Sequence, residues 1–120
     1  MAYNLKIEIS GLPQMTNAVG RKHWTVKARE AQKWRQLVMY MCAGKRPPRP
    51  LKKAHLILTR CSAISPDPDN LVSSFKHCVD GLVDARIIEN DKLDNISMPD
   101  YRWEKTKPKS GKIKVEVQAD

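Results

Sequence analysis

Ala54-His55-Leu56-Ile57-Leu58-Thr59-Arg60, followed after a short turn by Ser65-Pro66-Asp67-Pro68-Asp69-Asn70-Leu71, is the stretch on which the fold turns. The first part is rich in strand formers and bounded by a basic turn and by Ser65-Pro66, which predicts a strand more centrally buried than its neighbours. Pro68 then biases Asp67 towards extended backbone. Beyond it Leu71, Phe75, Cys78 and Leu82 recur at three- and four-residue spacing, with Val72, Val79 and Val83 beside them. That pattern predicts a helix ending near Ala85, with Asp69 at or near its N-cap.

Upstream, Leu5, Ile7 and Ile9 alternate with Lys6, Glu8 and Ser10, the period of a strand with one buried face, ending at Gly11-Leu12-Pro13. Gln14 to Trp24 has no clean period and reads as a polar, basic loop. From Thr25 onward Ala31, Trp34, Leu37, Val38 and Met41 mark an amphipathic helix of about five turns. Gly44 is placed to stop it, and Pro47-Pro48-Arg49-Pro50 forbids continuation. Trp24 and Trp34 read as core aromatics rather than stacking platforms. Downstream, Met98 to Thr106 and Lys112 to Gln118 are strand-like, and Pro108-Lys109-Ser110-Gly111 predicts a turn joining them as a hairpin. Pro99 marks the front of the third strand as an edge or a bulge. The order is βαβαββ. It implies an α+β fold in which a mixed, mostly antiparallel four-stranded sheet carries two helices, in a single domain over residues 1–120.

Composition narrows the function. The chain has 120 residues with 22 Lys and Arg against 13 Asp and Glu, a formal net charge of +9, so a polyanion is the natural partner. The cations cluster at Arg21-Lys22, Lys45 to Lys53 and Lys105 to Lys114. No apolar run approaches the roughly 20 residues needed to cross a bilayer. Met1 to Ser10 lacks the pattern of a secretory signal, so a cytoplasmic protein is expected. Cys42, Cys61 and Cys78 are odd in number and widely spaced, which argues against disulfides and structural zinc and predicts reduced, semi-buried thiols. His77 and Cys78, adjacent on a helix, point too far apart to share a metal.

The acids carry the chemistry. Asp67 and Asp69 flank Pro68 at the head of the predicted helix, and Asp91 follows in the polar run Glu89-Asn90-Asp91. On a continuous helix Ser73, Lys76 and Asp80 would share a face with Asp69, Lys76 lying about 20° round and roughly 10 Å along the axis. Carboxylates of this kind suit magnesium, which keeps positions for water and phosphate oxygens, while a lysine stabilises charge on a phosphoryl oxygen. Each residue also has a structural explanation: Asp69 as a cap, Asp67 as a turn residue, Lys76 as a solvated cation. Capping needs only one acid, however, and accounts for neither Asp91 nor the basic surroundings.

Asp67-Pro68-Asp69-Asn70-Leu71, Phe75-Lys76-His77-Cys78-Val79-Asp80-Gly81-Leu82 and Ile87-Ile88-Glu89-Asn90-Asp91 together resemble the RusA family of Holliday junction resolvases, found in bacteria and their prophages. The specific motifs span roughly residues 65 to 96, and the element order resembles the family over the whole chain. The resemblance implies that Asp67, Asp69 and Asp91 bind magnesium, with manganese able to substitute, and that Lys76 is the catalytic lysine. It also implies a homodimer, in the cytoplasm of a bacterium or a phage-infected host, that nicks two strands of a four-way DNA junction symmetrically in recombination and repair. Two departures stand out. Lys76 lies one helical turn further from Asp69 than in the family pattern, as though Val72-Ser73-Ser74 were inserted, and the paired acids are here Asn90-Asp91. Arg21, Lys22, His23, Lys45 and Arg46 are candidate phosphate contacts. Two rival readings are a restriction-like nuclease using Pro66-Asp67 or Pro99-Asp100, for which Glu104-Lys105 lacks the expected spacer, and a non-enzymatic basic DNA- or RNA-binding protein.

Overall fold

The structure is a computed structural model and describes residues 2–14 and 24–120. The elements run β1 (Tyr3–Ser10), α1 (Trp24–Met41), β2 (His55–Ser62), α2 (Pro68–Ser74), α3 (Lys76–Asp84), β3 (Asp100–Lys105) and β4 (Lys112–Ala119). The sheet order is β1-β4-β2-β3. β4 pairs antiparallel with both β1 and β2, and β3 pairs parallel with β2. The fold is therefore the expected α+β arrangement, a mixed and mostly antiparallel sheet with its helices packed on one face.

Alternation sets the layers. Leu5, Ile7 and Ile9 lie opposite Val117, Val115 and Ile113 of β4, which in turn face Leu56, Leu58 and Arg60 of β2. The apolar members form one buried core with Trp34, Val38 and Cys42 of α1 and its C-terminal turn and with Phe75, Cys78 and Leu82 of the second helical region. Trp34 is core as expected and donates Nε1–H to Glu30, whereas Trp24 is 70% exposed. Gly44 ends α1 with φ 76°, a conformation that glycine adopts without strain. α1 and α3 cross closely at Gly81, where an added Cβ would lie 2.8 Å from Val38 Cβ and 3.0 Å from the Arg35 carbonyl oxygen. All three cysteines are buried rather than semi-buried; burial pushes the Cys42 thiol up to about 11 and Cys78 to about 12.

Two expectations need correction. β3 and β4 do not form a hairpin, because β2 lies beside both and β4 inserts between β1 and β2. The competition for the centre explains this. β4 offers three buried β-branched residues on one face and hydrogen-bonds on both sides, while β3 is largely exposed and follows Pro99, which suits an edge. The chain from 106 to 111 instead crosses the end of β2, anchored by Thr106 N–H to Ser62 O (3.0 Å) and Gly11 N–H to Gly111 O (2.9 Å).

The predicted helix through Ala85 is also two helices, interrupted at Phe75 (φ −94°, ψ −1°). Ser73 and Ser74 turn their hydroxyls back onto the Asn70 and Leu71 carbonyls at 3.3 and 2.8 Å, and Phe75 N–H bonds Val72 O across a tighter turn. The helical region is thus broken directly after Val72-Ser73-Ser74. At the break Phe75 is fully buried, with its ring centroid 6.2 Å from that of Tyr101.

Candidate active site

Lys76 begins α3, and its ammonium donates to Asp80 Oδ1 at 3.0 Å and Asp91 Oδ2 at 3.2 Å. Asp80 lies one turn along the same helix, the spacing at which oppositely charged helical side chains meet. These hydrogen bonds, Asp80 foremost and then Asp91, raise the Lys76 pKa above the ordinary lysine value, so the side chain stays charged through neutral and mildly alkaline pH. Asp80 also has His77 Nδ1 at 3.9 Å.

Asp91 is positioned by the chain that leaves α3. The helix ends with Arg86 at φ 60°, Arg86 N–H bonding Val83 O and Ile87 N–H bonding Leu82 O, a Schellman closure. Ile87 to Glu89 then lie alongside Leu51 through Leu51 N–H to Ile87 O (2.9 Å) and Glu89 N–H to Leu51 O (3.0 Å). Asn90 Oδ1 accepts from Lys92 N–H at 2.8 Å. Asn90 therefore builds an Asx-type turn that fixes the backbone beside Asp91.

Asp67 is the N-cap residue of α2 and Asp69 sits in its first turn, which moves the cap two residues earlier than expected; neither lines the groove that Lys76 and Asp91 share. Asp67 is extended (φ −66°, ψ 151°), as Pro68 requires, yet its carboxylate makes no capping hydrogen bond. Both acids are exposed. The helix is thus started by proline geometry rather than by a side-chain cap. Among the described residues no three His, Cys, Asp or Glu side chains stand together as a ready metal group. Magnesium asks for less, since one or two carboxylates suffice when water and substrate phosphate fill the remaining positions. Asp67, Asp69 and Asp91 offer the oxygen donors that magnesium prefers, but the structure does not bring the three together as one group.

Beside Lys76 and Asp91 runs an open groove of ≈ 410 Å³ with largely apolar walls, including Val72, Leu93, Met98 and Tyr101. Asp100, from the alternative Pro-Asp pair, is elsewhere. It lies on the sheet face opposite Tyr101, bonded to His55 Nε2 (3.1 Å) and near Arg102 (3.5 Å). His55 Nδ1 is 2.7 Å from Ser97 Oγ, so one tautomer satisfies both bonds and straps the edge strand to β2. Lys45 and Arg46 are exposed after α1, with the Lys45 carbonyl accepting from the Tyr3 hydroxyl at 2.6 Å, and no ion pair joins them to the acids among the described residues. Arg21, Lys22 and His23 lie outside the described residues. Asp80 was not among the expected site residues, although its place on the face of Lys76 was legible in the spacing.

Compared with known proteins, the chain matches no protein-family model and no curated protein sequence. No helix among the described residues is long and apolar enough to cross a membrane.

Proposed function

We propose that this protein is a magnesium-dependent, structure-selective endonuclease that resolves four-way DNA junctions by paired nicks, acting as a homodimer. The observation that carries the reading is the Lys76 ammonium held 3.2 Å from Asp91, two residues singled out separately in the sequence pattern. The uncapped carboxylate of Asp67 and a net charge of +9 support it. In this reading Asp67, Asp69 and Asp91 hold magnesium, which when bound supplies an activated water and offsets charge on the phosphate. Lys76 stabilises the charge that builds on a non-bridging phosphoryl oxygen as phosphorus is attacked in line. Asp80 keeps that ammonium charged and aimed. A two-fold dimer suits a substrate that is itself two-fold.

The test is a labelled synthetic four-way junction beside linear duplex of the same sequence, with and without magnesium. Wild type is expected to nick the junction only with magnesium, and Asp69→Asn and Asp91→Asn to lose cleavage while still binding. Persistent cutting by those variants would overturn the site assignment, and equal cutting of linear duplex would reduce the protein to a general nuclease. Tight binding of wild type with no metal-dependent nicking would leave a non-enzymatic nucleic-acid-binding protein.

A further inference from the structure

Arg60 carries a charge that the chain does not neutralise. It is the third core-facing residue of β2 after Leu56 and Leu58, and it is only 5% exposed. Its Nη1 donates to the Pro13 carbonyl at 2.8 Å, while Nε is buried without a partner. No carboxylate lies within ion-pairing distance of it among the described residues. Met15 to His23 contain no Asp or Glu that could supply one. A guanidinium buried without a counter-charge is costly, and burial alone already pulls its pKa below the usual arginine value.

The neighbourhood repeats the signal. The buried side-chain polar atoms left without a partner are Gln14 Oε1, Arg60 Nε and Thr106 Oγ1 among the described residues. All three belong to the end of the sheet where β2 finishes. Gln14 follows the proline that Arg60 contacts, and Thr106 bonds the last residue of β2 through its backbone. Buried polar groups are nearly always satisfied, so the unpaired Nε of a buried guanidinium indicates a missing ligand. With Nη1 engaged by Pro13, the guanidinium retains its Nε–Nη2 edge, the parallel pair of N–H groups that matches two oxygens of a phosphate. A Gln amide can present its NH2 group instead of its oxygen by a flip.

We propose that Arg60, buried near the end of the sheet to which Gln14 and Thr106 also belong, forms a phosphate-binding site, occupied by a backbone phosphate of bound nucleic acid. That occupant rests on the proposed function; the anion site itself rests on the unneutralised cation. Its position fits: Tyr101, which lines the groove beside Lys76 and Asp91, pairs with Leu58, and Arg60 is two residues further along the same face, roughly 7 Å away. A strand passing the acidic site can rest a neighbouring phosphate there.

The experiment compares wild type, Arg60→Met and Arg60→Lys in two measurements. In thermal denaturation at constant ionic strength, replacing chloride by inorganic phosphate is expected to raise the wild-type Tm, and Arg60→Met is expected to lose that rise while keeping or exceeding the wild-type Tm in chloride. In junction binding, Arg60→Met is expected to weaken affinity about tenfold and to lower the slope of log K against log salt by about one phosphate contact. Arg60→Lys keeps the charge without the fork and is expected to retain the slope with weaker affinity; it also serves if Arg60→Met does not fold. An unchanged phosphate response and salt slope in the variants would overturn the site. A wild type that never nicks with magnesium yet shows the Arg60-dependent phosphate response would overturn the nuclease reading alone.

Discussion

At the scale of single residues, Lys76 is where three-dimensional geometry adds most to the sequence pattern. Reasoning from a continuous helix places Lys76 on the face of Asp69 but far along its axis. In the structure its ammonium meets Asp80, as helical spacing predicts, and also Asp91, at 3.0 and 3.2 Å. Asp67, Asp69, Lys76 and Asp91 could be named as candidates because short polar motifs are visible whatever path the backbone takes. The contact of Lys76 with Asp91 was not legible, because it joins residues 15 apart through a turn that no periodicity encodes. If Lys76 stabilises phosphoryl charge, Lys76→Met lowers the single-turnover cleavage rate about 10²–10³-fold with little change in junction affinity. Asp80 acts through Lys76, so Asp80→Asn is expected to cost roughly tenfold. It should also carry a signature that a merely structural role would not: the alkaline limb of the pH–rate profile moves to lower pH. The sign follows from linkage, since hydrogen bonding to Asp80 is the leading cause of the raised Lys76 pKa, and its removal lets the ammonium deprotonate earlier.

At the scale of elements, what was readable is what repeats. The alternation of Leu5, Ile7 and Ile9 and of Ile113, Val115 and Val117, and the stripe ending before Gly44, each predicted an element that the structure contains. Strand order was not readable from the turn at Pro108 to Gly111, because a turn residue pattern states that the chain reverses but not which neighbour the next strand will find. The packing of α1 on α3 likewise hinges on two residues whose role emerges only in contact. Gly81→Ala places a methyl group 2.8 Å from Val38 Cβ and is expected to destabilise by about 1–3 kcal/mol, seen as a Tm several degrees lower and partly restored by Val38→Ala. The same helices are clamped by Arg35 donating Nε–H and Nη2–H to Asp84 at 2.6 and 2.8 Å. The Arg35 hydrogen bond holds the Asp84 carboxyl below its ordinary value. The pair is partly exposed, so Asp84→Asn should cost only about 0.5–1 kcal/mol at pH 7. Because a depressed carboxyl contributes above its unfolded pKa of about 3.9 and loses its contribution as pH falls through the folded value, the wild-type advantage in urea denaturation should be constant from pH 6 upward and vanish in strong acid.

At the scale of the whole molecule, the excess positive charge is unevenly placed. The open face of the sheet is knitted by cross-strand pairs, Lys112 with Glu8 (2.9 Å), Lys114 with Glu104 (3.1 Å) and Lys6 with Glu116 (3.7 Å), so its cations are largely offset. Lys105 and Lys107, where the chain turns across the end of β2, are exposed and have no acid partner among the described residues. They adjoin the same end of the sheet as Arg60, while the acids lie beyond β2 on the helical side. Under the proposed function, nucleic acid drawn to these cations is expected over the helical side and the end of the sheet, not over its open face. The double variant Lys105→Gln, Lys107→Gln is expected to weaken junction binding and to reduce the magnitude of the slope of log K against log salt by about 1.8, since each phosphate contact contributes about 0.9. Glu104→Gln with Lys114→Gln removes one charge of each sign from the open face and should leave both affinity and slope unchanged. Fluorescence anisotropy with a labelled junction at four or more salt concentrations measures both. A slope that falls in the open-face variant and holds in the Lys105, Lys107 variant would place the DNA on the other side of the molecule.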